Sequence, residues 1–208
     1  MRHLVLLGDS VFDNAAYVGG GPDVVTQLRA LLPAGDRATL LAVDGSTTVD
    51  VVAQLARLPA DATDLVLSVG GNDALRHVEL LARRARDGAE VLGWLANAVA
   101  PFAAAYRALL RELTARGLPV TACTIYDGDL EPALRRPARA AVAIFDDAIQ
   151  RLARAAGVGV IELRDLCTGP DDYANPIEPS VRGGAKIAAA IHRQLLGAPP
   201  SPGPAPDA

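Results

Sequence analysis

Apolar residues along the chain gather in five short runs, His3–Leu7, Ala38–Val43, Asp64–Val69, Leu118–Thr124 and Val158–Leu163, each bounded by Gly, Asp or Pro. Near-continuous apolar character at strand length suits strands covered on both faces, not strands with one wet face. The intervening stretches Pro22–Leu32, Thr48–Leu58, Ala89–Ala115, Glu131–Ala156 and Ser180–Leu196 are expected helices. Strand alternating with helix specifies an α/β fold with a parallel sheet between helical layers.

Boundary residues sharpen this pattern. Asp23 precedes the first helix as a cap, Thr47 or Thr48 precedes the second, and Gly117 and Gly157 follow two helix ends. Pro101 interrupts Ala89–Ala115, so a kinked helix or two helices are expected there. Arg76–Gly88 is charged and expected at the surface. No internal repeat is present. The end, Gly197–Ala208, holds five prolines without periodicity and reads as a disordered tail, leaving 1–196 as one domain.

Composition narrows the function classes. With 208 residues, half of them hydrophobic and 21% charged, the chain can bury the core of one globular domain. A net charge of −4 without a concentrated basic face argues against nucleic acid and anionic membrane surfaces as partners. No run approaches the roughly 20 apolar residues of a membrane span. Leu4-Val5-Leu6-Leu7 is too short for the apolar region of a signal peptide and reads as a first strand. Cys123 and Cys167 lie far apart, outside any Cys-x-x-Cys pair, and are expected reduced and buried in a cytoplasmic protein.

In an open parallel sheet the ligand crevice forms beyond the carboxyl ends of the strands. The residues there are Gly8-Asp9-Ser10, Asp44-Gly45-Ser46 and Gly70-Gly71-Asn72-Asp73, with Asp171 to Ser180 preceding the last helix. This set offers a serine nucleophile, Ser10, and oxyanion donors from the N–H groups of Ser10 and Gly45 and the side chain of Asn72. Asp9 and Asp73 read as loop-orienting acids. Asn14 and Gly19-Gly20-Gly21 do not fit the glycine loops of nucleotide sites. Asp44, Asp171 and Asp172 lack metal-ligand spacing and read as solvated loop acids, so neither metal nor cofactor is expected.

Gly8-Asp9-Ser10, Gly45, Gly70-Gly71-Asn72-Asp73 and Pro179-Ser180, in that order from first strand to last helix, resemble the blocks of the SGNH/GDSL hydrolase family. The resemblance implies a flavodoxin-like three-layer α/β/α sandwich with a five-stranded parallel sheet, and ester hydrolysis or acyl transfer through an acyl-serine. Cys123-Thr124-Ile125-Tyr126-Asp127 and Pro176-Ile177-Glu178-Pro179-Ser180 resemble a bacterial subgroup of that family.

One departure stands out. The family's last block reads Asp-x-x-His-Pro-Ser, whereas Asn175-Pro176-Ile177-Glu178-Pro179-Ser180 places Glu178 at the His position and Asn175 at the Asp position. Of the three histidines, His3 precedes Ser10 by seven residues, roughly 20 Å along a strand. His192 lies fourteen residues beyond Glu178 in a helix, also some 20 Å away. His77 follows Asn72 by five residues on the catalytic side and is an alternative base. Glu178 leads if burial raises its pKa from the ordinary ~4.3; the competing role is an acid at a helix N-terminus. The expected partner is a small-molecule ester or acyl substrate, soluble in character because only 4% of residues are aromatic and no large lid is evident. Three activities fit: a serine hydrolase, an acyltransferase using the same serine, and a non-catalytic protein that keeps the pocket for binding.

Overall fold

The computed structural model describes residues 1–197. The proline-rich tail expected from Gly197 therefore lies, from residue 198 on, outside the described residues.

Five strands, β1 (His3–Gly8), β2 (Arg37–Leu40), β3 (Asp64–Ser68), β4 (Val120–Cys123) and β5 (Gly159–Ile161), form one sheet in the order β2-β1-β3-β4-β5. All neighbours are parallel, with Leu4 opposite Asp64 and Val66 opposite Thr121. This is the flavodoxin-like order, and its switch point lies between β1 and β3. The helices are α1 (Val24–Leu31), α2 (Val51–Leu55), α3 (Gly71–Leu75), α4 (Gly88–Thr114), α5 (Pro132–Ala155) and α6 (Val181–Leu196), with short 3-10 turns at Val78–Ala82, Leu163–Asp165 and Pro170–Asp172.

The strand pleat sends alternate side chains to opposite faces. Leu4, Leu6 and Val66 pack with Val24 and Leu28 of α1 and Ile187 and Ile191 of α6. Val5, Leu7, Leu65 and Leu67 pack instead with Val51 of α2, Phe102 and Tyr106 of α4 and Phe145 and Ile149 of α5. Two cores on one sheet make the three-layer sandwich anticipated from the run pattern. Among the described residues no helix is long and apolar enough to cross a membrane.

Local signals fare unevenly. Asp23 caps α1, accepting from the Thr26 N–H at 2.8 Å, and Gly117 and Gly157 take the left-handed turns (φ +71° and +69°) that end α4 and α5. The second helix is shorter than expected and neither threonine caps it. Thr47 gives its N–H and hydroxyl to Asp50, at 2.8 and 2.6 Å, and Thr48 gives both to Asp73, at 2.9 and 3.0 Å. Helix α4 runs unbroken through Pro101. The lost N–H is tolerated because Ala98, Phe102, Tyr106 and Leu109, on both sides of the proline, bury in the same core. Helix α3 lies where the sequence suggested only a loop.

Candidate active site

Strand β1 ends in Gly8, and Gly70 follows two residues after the end of β3; both glycines have φ +131°. A Cβ at Gly8 would lie 1.8 Å from the Ser68 carbonyl oxygen, so only glycine lets the two strand ends run this close. The side-chain amide of Gln54 pins this point, accepting from the Gly8 N–H at 2.8 Å and donating to its carbonyl at 2.7 Å. The chain then turns tightly: the Phe12 and Asp13 N–H groups donate to the Asp9 carbonyl, and the Val11 N–H to its carboxylate at 3.1 Å. Ser10 stands at the head of this turn, 8% exposed. Its N–H and that of Gly45 donate to no described residue.

Ser10, Asn72 and Glu178 line one cavity of about 170 Å³, together with Asp9 and His77. Asn72 Nδ2 donates to the Ser46 carbonyl at 2.9 Å, which fixes one of its two amide hydrogens and leaves the other for a ligand. Gly45 does not line this cavity. It occupies an exposed turn (φ +77°) one residue before Ser46, beside a shallow depression. The Gly45 loop is held on one side by Asn72 and on the other by Asp13, whose carboxylate accepts the Asp44 N–H at 2.9 Å.

The segment carrying Glu178 is fastened at four points. Asn175 Oδ1 accepts from the N–H groups of Ile177 and Glu178, at 3.0 and 2.9 Å, an Asx turn that shapes the backbone. The Ala174 N–H donates to the Glu178 carbonyl at 2.8 Å, the Tyr126 hydroxyl to the Ile177 carbonyl at 2.6 Å, and Asn14 Nδ2 to the Pro179 carbonyl at 3.0 Å. Glu178 is thereby held 5% exposed, with Oε2 unpartnered among the described residues. Ser180, not Glu178, caps α6, accepting from the Gly183 N–H at 3.2 Å.

Electrostatics separate the two buried carboxyls. Burial raises the Glu178 pKa above its ordinary 4.5, and the charge of Asp44 adds to the rise. The Ser10 hydroxyl lies close enough to favour the charged form. Asp9 is pushed up to about 8, first by burial, against the pull of the Val11 N–H, and further by the charges of Glu178 and Asp73. At neutral pH Asp9 therefore keeps its proton beside Glu178.

His3 sits at the far end of the sheet, with Nδ1 3.0 Å from Asp61 and Nε2 2.7 Å from the Thr39 hydroxyl. His192 is buried in α6. Asp73 orients the Thr48 loop, as its type suggested. Asp172 corrects the reading of solvated loop acids: it is 1% exposed and accepts from the Thr168 and Gly169 N–H groups and from Lys186 Nζ, at 3.0, 3.0 and 2.6 Å. Asn14, considered for phosphate binding, is a buried tie, accepting the Val24 N–H at 3.0 Å while donating to Pro179. What sequence reasoning missed is the apolar wall of the cavity, from Leu75, Val78, Leu80 and Leu81 and from α4 and α5. Its signal was the set of apolar positions inside the charged segment Arg76–Gly88.

Residues 6–186 match the family model described as the GDSL-like lipase/acylhydrolase family. No curated protein matches the chain by sequence. Among solved structures, an extracellular lipase from Streptomyces rimosus superposes with a TM-score of 0.70 at 16% identity, covering 92% of this chain and 99% of that one. Phospholipase A1 from Streptomyces albidoflavus NA297 gives 0.70 at 15% identity, over 93% and 99% of the two chains. Axe2, an acetylxylan esterase from Geobacillus stearothermophilus, gives 0.68 at 20% identity, over 94% of each. At these identities the likeness is one of fold.

Proposed function

The chain belongs to the GDSL-like lipase/acylhydrolase family, and from that premise we propose that it cleaves a carboxylic ester through an acyl-serine on Ser10, with Glu178 in place of the usual histidine. The observation that carries this reading is the meeting of Ser10, Asn72 and a buried, incompletely partnered Glu178 on one cavity.

Ser10 Oγ attacks the ester carbonyl while Glu178 accepts the hydroxyl proton. The N–H of Ser10 and the free amide hydrogen of Asn72 receive the negative charge of the tetrahedral intermediate, each such donor contributing about 3–4 kcal/mol to the transition state; Gly45, outside the cavity, holds the loop whose Ser46 carbonyl fixes Asn72. Collapse expels the alcohol, which takes the proton back from Glu178. Water, deprotonated by Glu178, then releases the acid and restores Ser10. A carboxylate of ordinary pKa would be a weak base for a serine; burial of Glu178 corrects this in the required direction. A neutral Asp9 lets Glu178 carry the one negative charge of the pair. The buried, free Cys123 and Cys167 support action in the cytoplasm, a reducing compartment.

Hydrolysis of p-nitrophenyl esters by wild type, Ser10→Ala and Glu178→Gln, each checked for folding by circular dichroism, tests the reading. Glu178→Gln is expected to lose about 10²–10⁴-fold in kcat, and Ser10→Ala, which lacks the nucleophile, about 10⁶-fold. Full activity in folded Ser10→Ala would overturn it. No turnover, together with no fluorophosphonate labelling of Ser10, would replace it by the binding-only reading.

A further inference from the structure

We propose that the acyl half of the ester is an apolar chain of about six carbons, seated in the channel that leads away from Ser10 between helices α4 and α5. This rests on the ester-hydrolase reading for the identity of the group, and on the cavity alone for its size and polarity.

Asp9, Ser10, Asn72 and Glu178 bring their polar groups to the cavity, with Ser68 and His77, while the hydroxyls of Thr124 and Tyr126, which also line it, are engaged by Glu162 and the Ile177 carbonyl. Beyond them it is walled by Leu81, Leu95, Ala98, Ala138, Ala141 and Val142. Helices α4 and α5 place alanines at three of these positions, Ala98, Ala138 and Ala141, where larger side chains would have closed the space. The void is thus built by small residues on two helices that otherwise pack against one core around Phe102 and Phe145, whose rings lie 5.0 Å apart. Apolar walls of this kind offer water few hydrogen-bond partners, and an apolar cavity near 150 Å³ holds a six-carbon ring. The volume here, about 170 Å³, matches a chain of similar size. A charged or hydroxylated acyl group would leave polar atoms unpaired against leucine and alanine and is disfavoured there.

The mouth has the same chemistry. Leu75, Val78, Leu134 and Ile177 line the cavity and are also 40%, 52%, 38% and 36% exposed. A chain longer than the cavity holds leaves its extra carbons in water, where they gain little. Each methylene inside the channel strengthens binding about fourfold, so the gain over an acetyl group is about 10²-fold at hexanoyl and flat or falling beyond.

Two measurements test the channel, one dependent on turnover and one not. In the first, kcat/KM is measured for p-nitrophenyl acetate, butyrate, hexanoate, octanoate and dodecanoate with wild type, Ala141→Phe and Leu134→Trp. The hexanoate-to-acetate ratio is expected to be high in wild type and to fall at least tenfold in Ala141→Phe. Leu134→Trp, at the exposed mouth, lowers the same ratio without endangering the fold. In the second, calorimetric titration of the Ser10→Ala protein with hexanamide and acetamide should show binding of the first only, abolished when Ala141→Phe is added. Ester turnover with a flat or acetate-favouring profile and no hexanamide binding would overturn the channel while leaving ester hydrolysis intact. Hexanamide binding that is lost in Ala141→Phe, without turnover of any ester, would keep the channel and discard the hydrolase.

Discussion

Asn14 and Pro179 stand 165 positions apart in sequence and are joined by one buried hydrogen bond, from Asn14 Nδ2 to the Pro179 carbonyl at 3.0 Å. Through it the loop that presents Ser10 grips the loop that presents Glu178, while Asn14 Oδ1 receives the Val24 N–H at 3.0 Å and ties both to the start of α1. Removing the side chain leaves a buried donor and a buried acceptor unsatisfied. Asn14→Ala is expected to lower stability by about 1–3 kcal/mol in urea denaturation and to lower kcat more than KM, because the distance between Ser10 and Glu178 is no longer set.

The competing base lines the same cavity. His77→Ala should leave kcat within a few-fold of wild type, whereas Glu178→Gln, which keeps the size and removes the base, should lose about 10²–10⁴-fold. Steady-state kinetics on p-nitrophenyl esters separates the two residues, and the opposite ranking would assign the base to His77.

The pH profile should be bell-shaped. Glu178 works as the carboxylate, and burial raises its pKa above 4.5, so activity rises with pH through an apparent value above 4.5. Asp9 ionises near 8 and then places a second negative charge beside the developing oxyanion, so activity falls above about 8. The two apparent values belong to the coupled pair. In Asp9→Asn the alkaline limb should vanish and the acid limb remain.

Asp9 also predicts a gain in stability. The folded state holds the Asp9 proton up to about 8, whereas the unfolded chain releases it near 3.8. Folded protein therefore binds the extra proton between these values, and stability declines as pH rises through that window. Asp9→Asn removes the dependence. Its Tm should exceed that of wild type at pH 7–8, by the equivalent of about 1–3 kcal/mol, with no advantage below pH 4.

Asp172 behaves in the opposite sense. Burial alone would raise its pKa, but Lys186 and the N–H groups of Gly169 and Thr168 outweigh it and hold the carboxyl below 3.8. Its contribution is present above the unfolded pKa and is lost as pH falls through the folded one. Asp172→Ala strips the carboxylate from Lys186 and from the Thr168 and Gly169 N–H groups and frees the turn before Glu178, at a cost of about 1–3 kcal/mol. Chemical denaturation at pH 7 and pH 3 checks both the size and the direction.

The layered fold was legible in the chain because its cause is local. Leu4 to Leu7 and Leu65 to Leu67 are apolar on both faces, and only a sheet covered on both sides accepts that pattern. Gly8-Asp9-Ser10 and Gly70-Gly71-Asn72-Asp73 were legible as turns at strand ends, because the turn chemistry of glycine and aspartate is written in neighbouring residues. Helix α3 escaped notice: five residues beginning with a glycine and preceded by another carry no period, and it exists because Asp73 and Asn72 anchor it to Thr48 and Ser46. Asp172 looked like any loop acid until Lys186, fourteen positions away, came to lie 2.6 Å from it.

The sequence by itself determined which residue types stand at each strand end, and so the chemistry on offer, including a glutamate where a histidine is usual. Only the tertiary structure decided that Glu178 is buried in one cavity with Ser10, that burial pushes the Asp9 pKa up to about 8, and that apolar residues of α4 and α5 line that cavity. Burial, charge proximity and empty volume are properties of surfaces brought together from distant positions, and no spacing along the chain encodes them singly.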